Sequence, residues 1–243
     1  MKVSIITVSY NAAKTILKTI DSIADQSYTN IEFIIIDGGS TDGTLDIIED
    51  NKEKIDIVVS EPDKGVYDAM NKGILRASGD WILFLGADDL LANNNVIETC
   101  VQQFSSSHLV YGDVIKVPEN EVYDGAFNLY KMIYRNICHQ AIFFHKSVFK
   151  LKGLYHLDYK VNSDWEFNLR CFQDPKINTK YIPLVVSHFN TEGLSSNTED
   201  VAFEIRKKQL IKLMPIWVRF CYKYRRTSFI KWISGTFLNF DYA

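Results

Sequence analysis

The 243-residue chain is 47% apolar and 23% charged, a composition that excludes a disordered or collagen-like polymer. Its 27 Lys and Arg residues against 30 Asp and Glu residues give a net charge of −3, so no overall attraction to nucleic acid is expected. The four cysteines are widely spaced and no apolar run is long enough to cross a membrane, which predicts reduced thiols and a cytoplasmic protein.

The first ninety residues alternate between strand and helix patterns. Apolar runs predict strands at 3–8, 31–36, 55–59 and 81–85, and helical spacing predicts helices at 12–24, 45–49 and 66–77. Strands that alternate with helices indicate an α/β fold with a Rossmann-like, mostly parallel sheet and helices on both faces.

The pattern loosens in the second part of the chain. Helices are predicted at 96–104 and 163–172, and strands at 109–117, 141–144 and 181–187. We expect one α/β domain over residues 1–196, with halves at 1–95 and 96–196, followed by a helical extension over 197–243.

The end of the chain is strongly basic. Residues 205–243 carry nine Lys and Arg residues and one acidic residue, a net charge of +8. Because the whole chain has a net charge of −3, residues 1–204 have a net charge of −11. Because apolar residues interleave with these cations, one interpretation is an amphipathic helix on an anionic membrane surface. The other is a helix packed on the acidic body, with its cations in solvent.

Each of the first four predicted strands is followed by a polar cluster, at 9–11, 37–40, 61–65 and 86–89. Parallel strands bind ligands beyond their carboxyl ends, so these clusters are expected at one edge of the sheet. In the last cluster, Asp88 and Asp89 place two like charges side by side. A divalent cation, Mn²⁺ or Mg²⁺, would compensate them and could also bridge phosphates. The alternative is that Asp89 is the N-cap of a helix beginning at Leu90.

Four segments occur in the order and spacing of the nucleotide-binding half of family 2 glycosyltransferases: VSIITVSYN at 3–11, IIIDGGSTDGT at 34–44, DKGVYDAMNKG at 63–73 and GDWILFLGADD at 79–89. Further along, HQAIFF at 139–144, SDWEFNLR at 163–170 and FNTEGLSS at 189–196 resemble the acceptor side of bacterial cell-surface polysaccharide transferases in that family. The resemblance implies the glycosyltransferase A fold. It also implies metal-assisted, inverting transfer from a nucleotide-diphosphate sugar to a hydroxyl of a glycan or lipid-linked acceptor.

The resemblance also implies roles for individual residues. The nucleotide would contact Thr7, Val8, Tyr10, Asp37, Asp63, Asp68, Asn71 and Asp88. The cation would contact Asp89 and His188, and the acceptor would contact His139, Gln140, Trp165 and Glu166. Asp164 would be the general base that takes the proton of the acceptor hydroxyl.

Simpler interpretations of several of these residues remain open. The pattern around Tyr10 also fits a core aromatic residue. Asp37 also fits a turn former, and Asp164 also fits a helix N-cap. Trp165 is equally a packing residue, and a lone His such as His188 is more often a satisfied surface or core residue.

Gly86 departs from the family pattern, since many members have an Asp at that position. This departure motivates a second hypothesis, a catalytically silent nucleotide- or glycan-binding module on the same fold. The retained Asp88, Asp89 and Asp164 favour the enzyme. A Rossmann dehydrogenase is disfavoured, because no G-x-G-x-x-G sequence follows the first strand.

Overall fold

The computed structural model of the protein describes residues 1–191, 200–227 and 230. Its strands are β1 (Val3–Ser9), β2 (Ile31–Asp37), β3 (Ile57–Ser60), β4 (Trp81–Phe84), β5 (Leu90–Leu91), β6 (Leu109–Val117), β7 (Glu121–Tyr123), β8 (Ile142–His145) and β9 (Thr179–Asn190). Its helices are α1 (Ile16–Ala24), α2 (Thr44–Asp50), α3 (Val66–Arg76), α4 (Val96–Val101), α5 (Ser147–Lys152), α6 (Ser163–Phe172), α7 (Val201–Leu213) and α8 (Ile216–Lys223).

The strands form a single sheet in the order β3-β2-β1-β4-β8-β6-β9-β5, and β7 pairs with β6. The first four strands are parallel, as the alternating pattern predicts. Beyond β4 the sheet is mixed, because β8 is antiparallel to both β4 and β6, whereas β9 is parallel to β6. The α/β class is therefore confirmed, and the antiparallel pairs belong to the second half of the sheet.

Helices cover both faces of the sheet, which explains why its central strands are continuous apolar runs. Ile34 and Ile36 of β2 point into a core shared with α3, α5, α6, α7 and α8. Phe33 and Ile35 point to the opposite face, where α1, α2 and α4 pack.

Strand direction brings the two halves of the chain to one edge. β1, β2 and β3 end there in register at Ser9, Asp37 and Ser60. Because β8 runs against β4, the residues just before β8 lie at the edge where β4 ends. β9 runs with β6 and ends at this edge with Asn190. The polar clusters after the parallel strands therefore meet residues from the second half of the chain.

Two element predictions need correction. Leu90 and Leu91 form β5, which pairs with Ser187 and His188 of β9, so Asp89 does not cap a helix. The predicted helix over 96–104 ends at Val101.

The predicted domain boundary at 196/197 lies outside the described residues, as do most of residues 228–243. The described part of the extension is helical, in α7 and α8. Among the described helices, none has the length and apolar character needed to cross a membrane.

Candidate active site

Asp164 lies in the first turn of α6 and is almost completely buried. Its Oδ1 accepts hydrogen bonds from the Tyr67 hydroxyl (2.9 Å) and the Trp165 backbone N–H (2.8 Å), and its Oδ2 accepts one from the Asn136 amide (3.0 Å). The helix N-cap is Asn162, so Asp164 is not the cap. A carboxylate has about four acceptor positions; these donors occupy three, and the His139 ring lies beside the fourth, on Oδ2.

The donors around Asp164 are themselves held in place. Burial, and then the charge of Asp164, raise the pKa of Tyr67 well above its usual value, so its hydroxyl stays protonated and remains a donor. Asn136 in turn accepts a hydrogen bond from Asn168 of α6 at 2.9 Å. This chain of contacts fixes the direction in which the Asp164 carboxylate points.

A two-residue bridge joins Asp164 to the carboxylates that follow β4. The His139 Nδ1 atom lies 3.4 Å from Asp164 Oδ2. The next residue, Gln140, is buried and donates from Nε2 to Asp89 Oδ2 at 2.8 Å. The residue predicted as general base and the predicted metal motif therefore face the same site.

Asp88 and Asp89 have different surroundings. Asp89 is 2% exposed and accepts from the Gly86 N–H (3.1 Å), the Asn190 N–H (3.0 Å) and Gln140. Asp88 is half-buried and accepts one hydrogen bond at Oδ2, from the Asn190 side-chain amide (3.1 Å). Among the described residues no donor reaches Asp88 Oδ1, so Asp88 has the more available oxygen.

The glycine that departs from the family pattern fits this arrangement. A Cβ at Gly86 would lie 2.6 Å from Asp89 Oδ2 and 3.1 Å from Asp88 Oδ1. A side chain at this position would therefore displace the carboxylates. Burial, followed by the charge of Asp88, raises the pKa of Asp89 above its usual value.

Tyr10, Gly38 and Asp63 form an open slot beyond β1 and β2. Tyr10 is 67% exposed, which excludes the core interpretation of its ring. A Cβ at Gly38 would lie 2.5 Å from Asp63 Oδ2 and 3.4 Å from Tyr10 Cδ2, so the missing side chain makes room for the Asp63 carboxylate. Asp63 Oδ1 accepts from the Gly65 N–H, and no donor in the described chain reaches Oδ2.

Asp37 is fully buried beneath this slot and acts as a turn former. Its carboxylate accepts hydrogen bonds from the Ser9, Ser40 and Ser60 hydroxyls and from the backbone N–H groups of Gly39 and Ser40. Burial alone would raise the pKa of Asp37, but these hydrogen bonds outweigh it and lower the pKa. These five donors fill its acceptor positions, so its described role is to hold the turn, and its nucleotide contact stays a prediction.

Two residues beside Asp164 have structural roles. Glu166 is fully buried and pairs with Arg170 (2.7 Å) and with Arg206 of α7 (3.3 Å), so its acceptor contact stays a prediction without support from these contacts. Trp165 donates from Nε1 to the Met132 carbonyl (2.7 Å), and its ring packs against α7, so the packing interpretation holds.

Three further residues were predicted to contact the nucleotide. Asn71 is buried and forms two hydrogen bonds with the backbone of Tyr155. Asp68 accepts from the Lys64 N–H at 3.0 Å and lies 3.7 Å from the Lys72 ammonium group, so it braces the first turn of α3. Thr7 is fully buried, and its hydroxyl has no hydrogen-bond partner in the described chain. The nucleotide contacts of all three stay predictions.

The buried amide of Gln140 holds Asp89, and its acceptor contact stays a prediction. Val8 is half-buried and packs against the core on the α3 face. His188 lies two residues before Asn190 on β9, and alternation along the strand places both on the same face. The described residues contain no group of three or more His, Cys, Asp or Glu side chains that could by itself hold a metal ion.

Sequence reasoning did not single out Tyr67, Asn136 or Asn190. Tyr67 and Asn190 lie inside the segments that carry the family resemblance, so the sequence held a signal that marks them as candidate site residues. Asn136 lies in no such segment, and only the fold brings it to Asp164.

Comparisons with known proteins agree with this geometry. The family model described as Glycosyl transferase family 2 matches residues 4–156. The PGL/p-HBAD biosynthesis glycosyltransferase of Mycobacterium bovis (strain BCG / Pasteur 1173P2) is 42% identical over 223 residues, which span 89% of this chain and 85% of that protein.

Two solved structures have a similar fold at 19% sequence identity. S. aureus TarS 1-349 in complex with UDP-GlcNAc has a TM-score of 0.74, with 98% of this chain and 72% of that TarS chain covered. The mannosyltransferase PcManGT from Pyrobaculum calidifontis, in complex with GDP-Man and Mn²⁺, has a TM-score of 0.64, with 93% and 65% covered. The expected glycosyltransferase A fold is confirmed. The chain belongs to glycosyl transferase family 2 and is a glycosyltransferase.

Proposed function

We propose that this glycosyltransferase inverts the anomeric carbon as it moves a sugar from a nucleotide-diphosphate sugar to an acceptor hydroxyl, with Asp164 as the general base. The observation that carries the proposal is the His139–Gln140 bridge, which places Asp164 and the Asp88–Asp89 pair at one site. UDP-GlcNAc bound to TarS and GDP-Man bound to PcManGT support a donor of this class.

In this mechanism Asp164 accepts the proton of the acceptor hydroxyl on Oδ2, the oxygen that lies beside the His139 ring. The acceptor oxygen forms a bond to the anomeric carbon as the bond from that carbon to the diphosphate breaks, and the leaving diphosphate takes the negative charge. Tyr67 and Asn136 hold the carboxylate in orientation throughout. Attack from the side opposite the leaving group inverts the anomeric carbon, so a single base suffices.

A divalent cation fits the residues that follow β4. We assign Asp88 as its protein ligand, because Asp88 Oδ1 meets no donor in the described chain whereas the Asp89 carboxylate is buried and hydrogen-bonded. Asp89 then acts as a positioning residue, and His188 remains a proposed further contact. When bound, Mn²⁺ or Mg²⁺ would neutralise charge on the diphosphate. The Mn²⁺ bound to PcManGT supports this assignment.

The acceptor is proposed to be a glycan or a lipid-linked molecule with a free hydroxyl, handled on the cytoplasmic side of the membrane. Of the predicted acceptor residues, His139 keeps a side chain beside Asp164. The M. bovis relative is named for PGL/p-HBAD biosynthesis, and a 36% identical Bacillus subtilis relative is named as a putative teichuronic acid biosynthesis glycosyltransferase. These names support a role in making a cell-envelope polysaccharide or glycolipid.

Asp164→Asn tests the base assignment. The amide cannot take the acceptor proton, so we expect the rate of nucleoside-diphosphate release from a donor to fall about 10²–10⁴-fold. The donor Kd, measured by titration calorimetry, should stay within about twofold, since Asp164 lies outside the proposed nucleotide and metal contacts. Asp158→Asn, at an exposed position, is the matched control and should keep the wild-type rate. Release at the wild-type rate from Asp164→Asn would show that another group is the base.

Asp88→Asn tests the cation assignment. With the charged ligand removed, the gain in donor affinity on adding Mn²⁺ should be at least about tenfold smaller than in the wild type. Calorimetric titration with Mn²⁺ and again with EDTA separates this effect from direct nucleotide contacts, because the two proteins should converge in EDTA. A variant with the full Mn²⁺ effect contradicts the assignment. Asp50→Asn, which removes an exposed carboxylate at the end of α2, serves as the control.

Asp63→Asn tests recognition of the nucleobase. Tyr10 offers an exposed ring for stacking, and the available Asp63 Oδ2 can accept a ring N–H, which uracil and guanine possess and which cytosine and adenine lack. We expect the wild type to bind UDP or GDP about 10–100-fold more tightly than CDP and ADP, and the variant to lose most of that preference. Calorimetry with the four diphosphates measures it. An unchanged preference in the variant removes Asp63 from base recognition.

A further inference from the structure

The solvent-facing side of α8 exposes a continuous apolar surface. Ile216 is 79% exposed, and Trp217, Phe220 and Tyr224 are exposed beside it. Residues four apart lie on the same face of a helix, so Ile216, Phe220 and Tyr224 form one row, and Trp217 lies alongside it. The Phe220 and Tyr224 ring centroids are 4.7 Å apart, which makes the row continuous. Leu213, at the end of α7, is also exposed, at 76%. We call these five residues the α8 apolar surface.

A row of cations borders the α8 apolar surface. Arg219 and Lys223 are four residues apart and exposed, and Lys212 is exposed next to Leu213. In the described part of the chain none of the three forms an ion pair with an acidic residue. Their charges are therefore available to an anionic partner.

The opposite side of α8 is packed. Val218 is fully buried, and Met214 and Cys221 are nearly so, in the core that also contains α3, α5, α6 and α7. α8 is thus fixed on the domain while its apolar row faces outward. The two interpretations of the basic extension are compatible, because one side of the helix packs on the body and the other remains open.

We infer that the α8 apolar surface is a docking site for an anionic phospholipid bilayer. Large apolar side chains next to unpaired cations match the acyl region and the headgroups of such a bilayer at the same time. A second copy of the chain fits less well. Two such surfaces packed against each other around a twofold axis would bring Arg219 and Lys223 close to equal charges.

The packed side of α8 lies beside the loop that carries Asn136. Tyr222, on that side, contacts the ring of Tyr134, with centroids 6.2 Å apart, and Asn136, two residues further along the chain, donates to Asp164. A bilayer on the outward side of α8 would therefore be separated from this loop by the helix. The relation to an acceptor rests on the proposed function, whereas bilayer binding itself does not.

Co-sedimentation of the full chain with vesicles tests the inference. We expect binding to vesicles of phosphatidylcholine with phosphatidylglycerol, and much weaker binding to phosphatidylcholine alone. Ile216→Ser with Phe220→Ser should weaken the partition coefficient about 100-fold, and Arg219→Gln with Lys223→Gln about 30-fold. All four positions are exposed, so circular dichroism should show both double variants folded.

Matched controls separate binding through the α8 apolar surface from nonspecific adsorption of the protein to vesicles. Leu75→Ser removes an exposed apolar side chain from α3, and Lys14→Gln with Lys18→Gln removes two exposed cations near α1; both should bind vesicles like the wild type. The inference is overturned if the wild type does not sediment with anionic vesicles, or if Ile216→Ser with Phe220→Ser sediments equally well. It is also overturned if light scattering finds a dimer that this double variant dissociates.

Nucleotide binding in solution, measured on the same proteins, keeps the two proposals apart. A chain that binds anionic vesicles but no nucleotide diphosphate overturns the proposed function and leaves the docking site standing. A chain that binds a nucleotide diphosphate but no anionic vesicles overturns the docking site and leaves the proposed function standing.

Discussion

Gln140 donates a hydrogen bond to Asp89 while His139, its neighbour in the chain, lies against Asp164. This contact between the two halves of the protein depends on strand direction. β8 is antiparallel to β4, so the residues that precede β8 lie at the sheet edge where β4 ends. With a parallel strand in its place, the dipeptide would enter at the opposite edge, and Asp164 would lose its link to the carboxylates.

The carboxylates at this edge differ in how many hydrogen bonds they accept. Asp37 accepts five and Asp89 accepts three, and both are buried, so they hold loops in place. Asp63 and Asp88 each keep an oxygen that no donor in the described chain reaches. Such an oxygen is available to a base or a cation. Asp164 also accepts three hydrogen bonds, and its proposed role rests on its place beside His139 and the Asp88–Asp89 pair.

The sequence was sufficient to predict the parallel strands β1 to β4, the helices on both faces and the polar clusters that meet at one edge, because these follow from periodicity and chain direction. It did not predict β5 or β7, which are only two and three residues long. It could not separate Asp37 from Asp63, since both follow a strand and differ only in the donors that the fold brings to them. Glu166 has one contact that the sequence predicts and one that it does not. Its i,i+4 spacing to Arg170 is visible in the sequence, but Arg206 reaches it from 40 residues away only in the folded chain.

The anomeric configuration of the first product formed tests the account most directly, because a single base on the face opposite the diphosphate permits one stereochemical outcome. Proton NMR early in the turnover of a nucleotide-diphosphate sugar, with an alcohol or water as acceptor, reads this configuration before mutarotation. The account predicts an anomeric configuration inverted relative to the donor. A product that retains the donor's configuration would contradict the role given to Asp164.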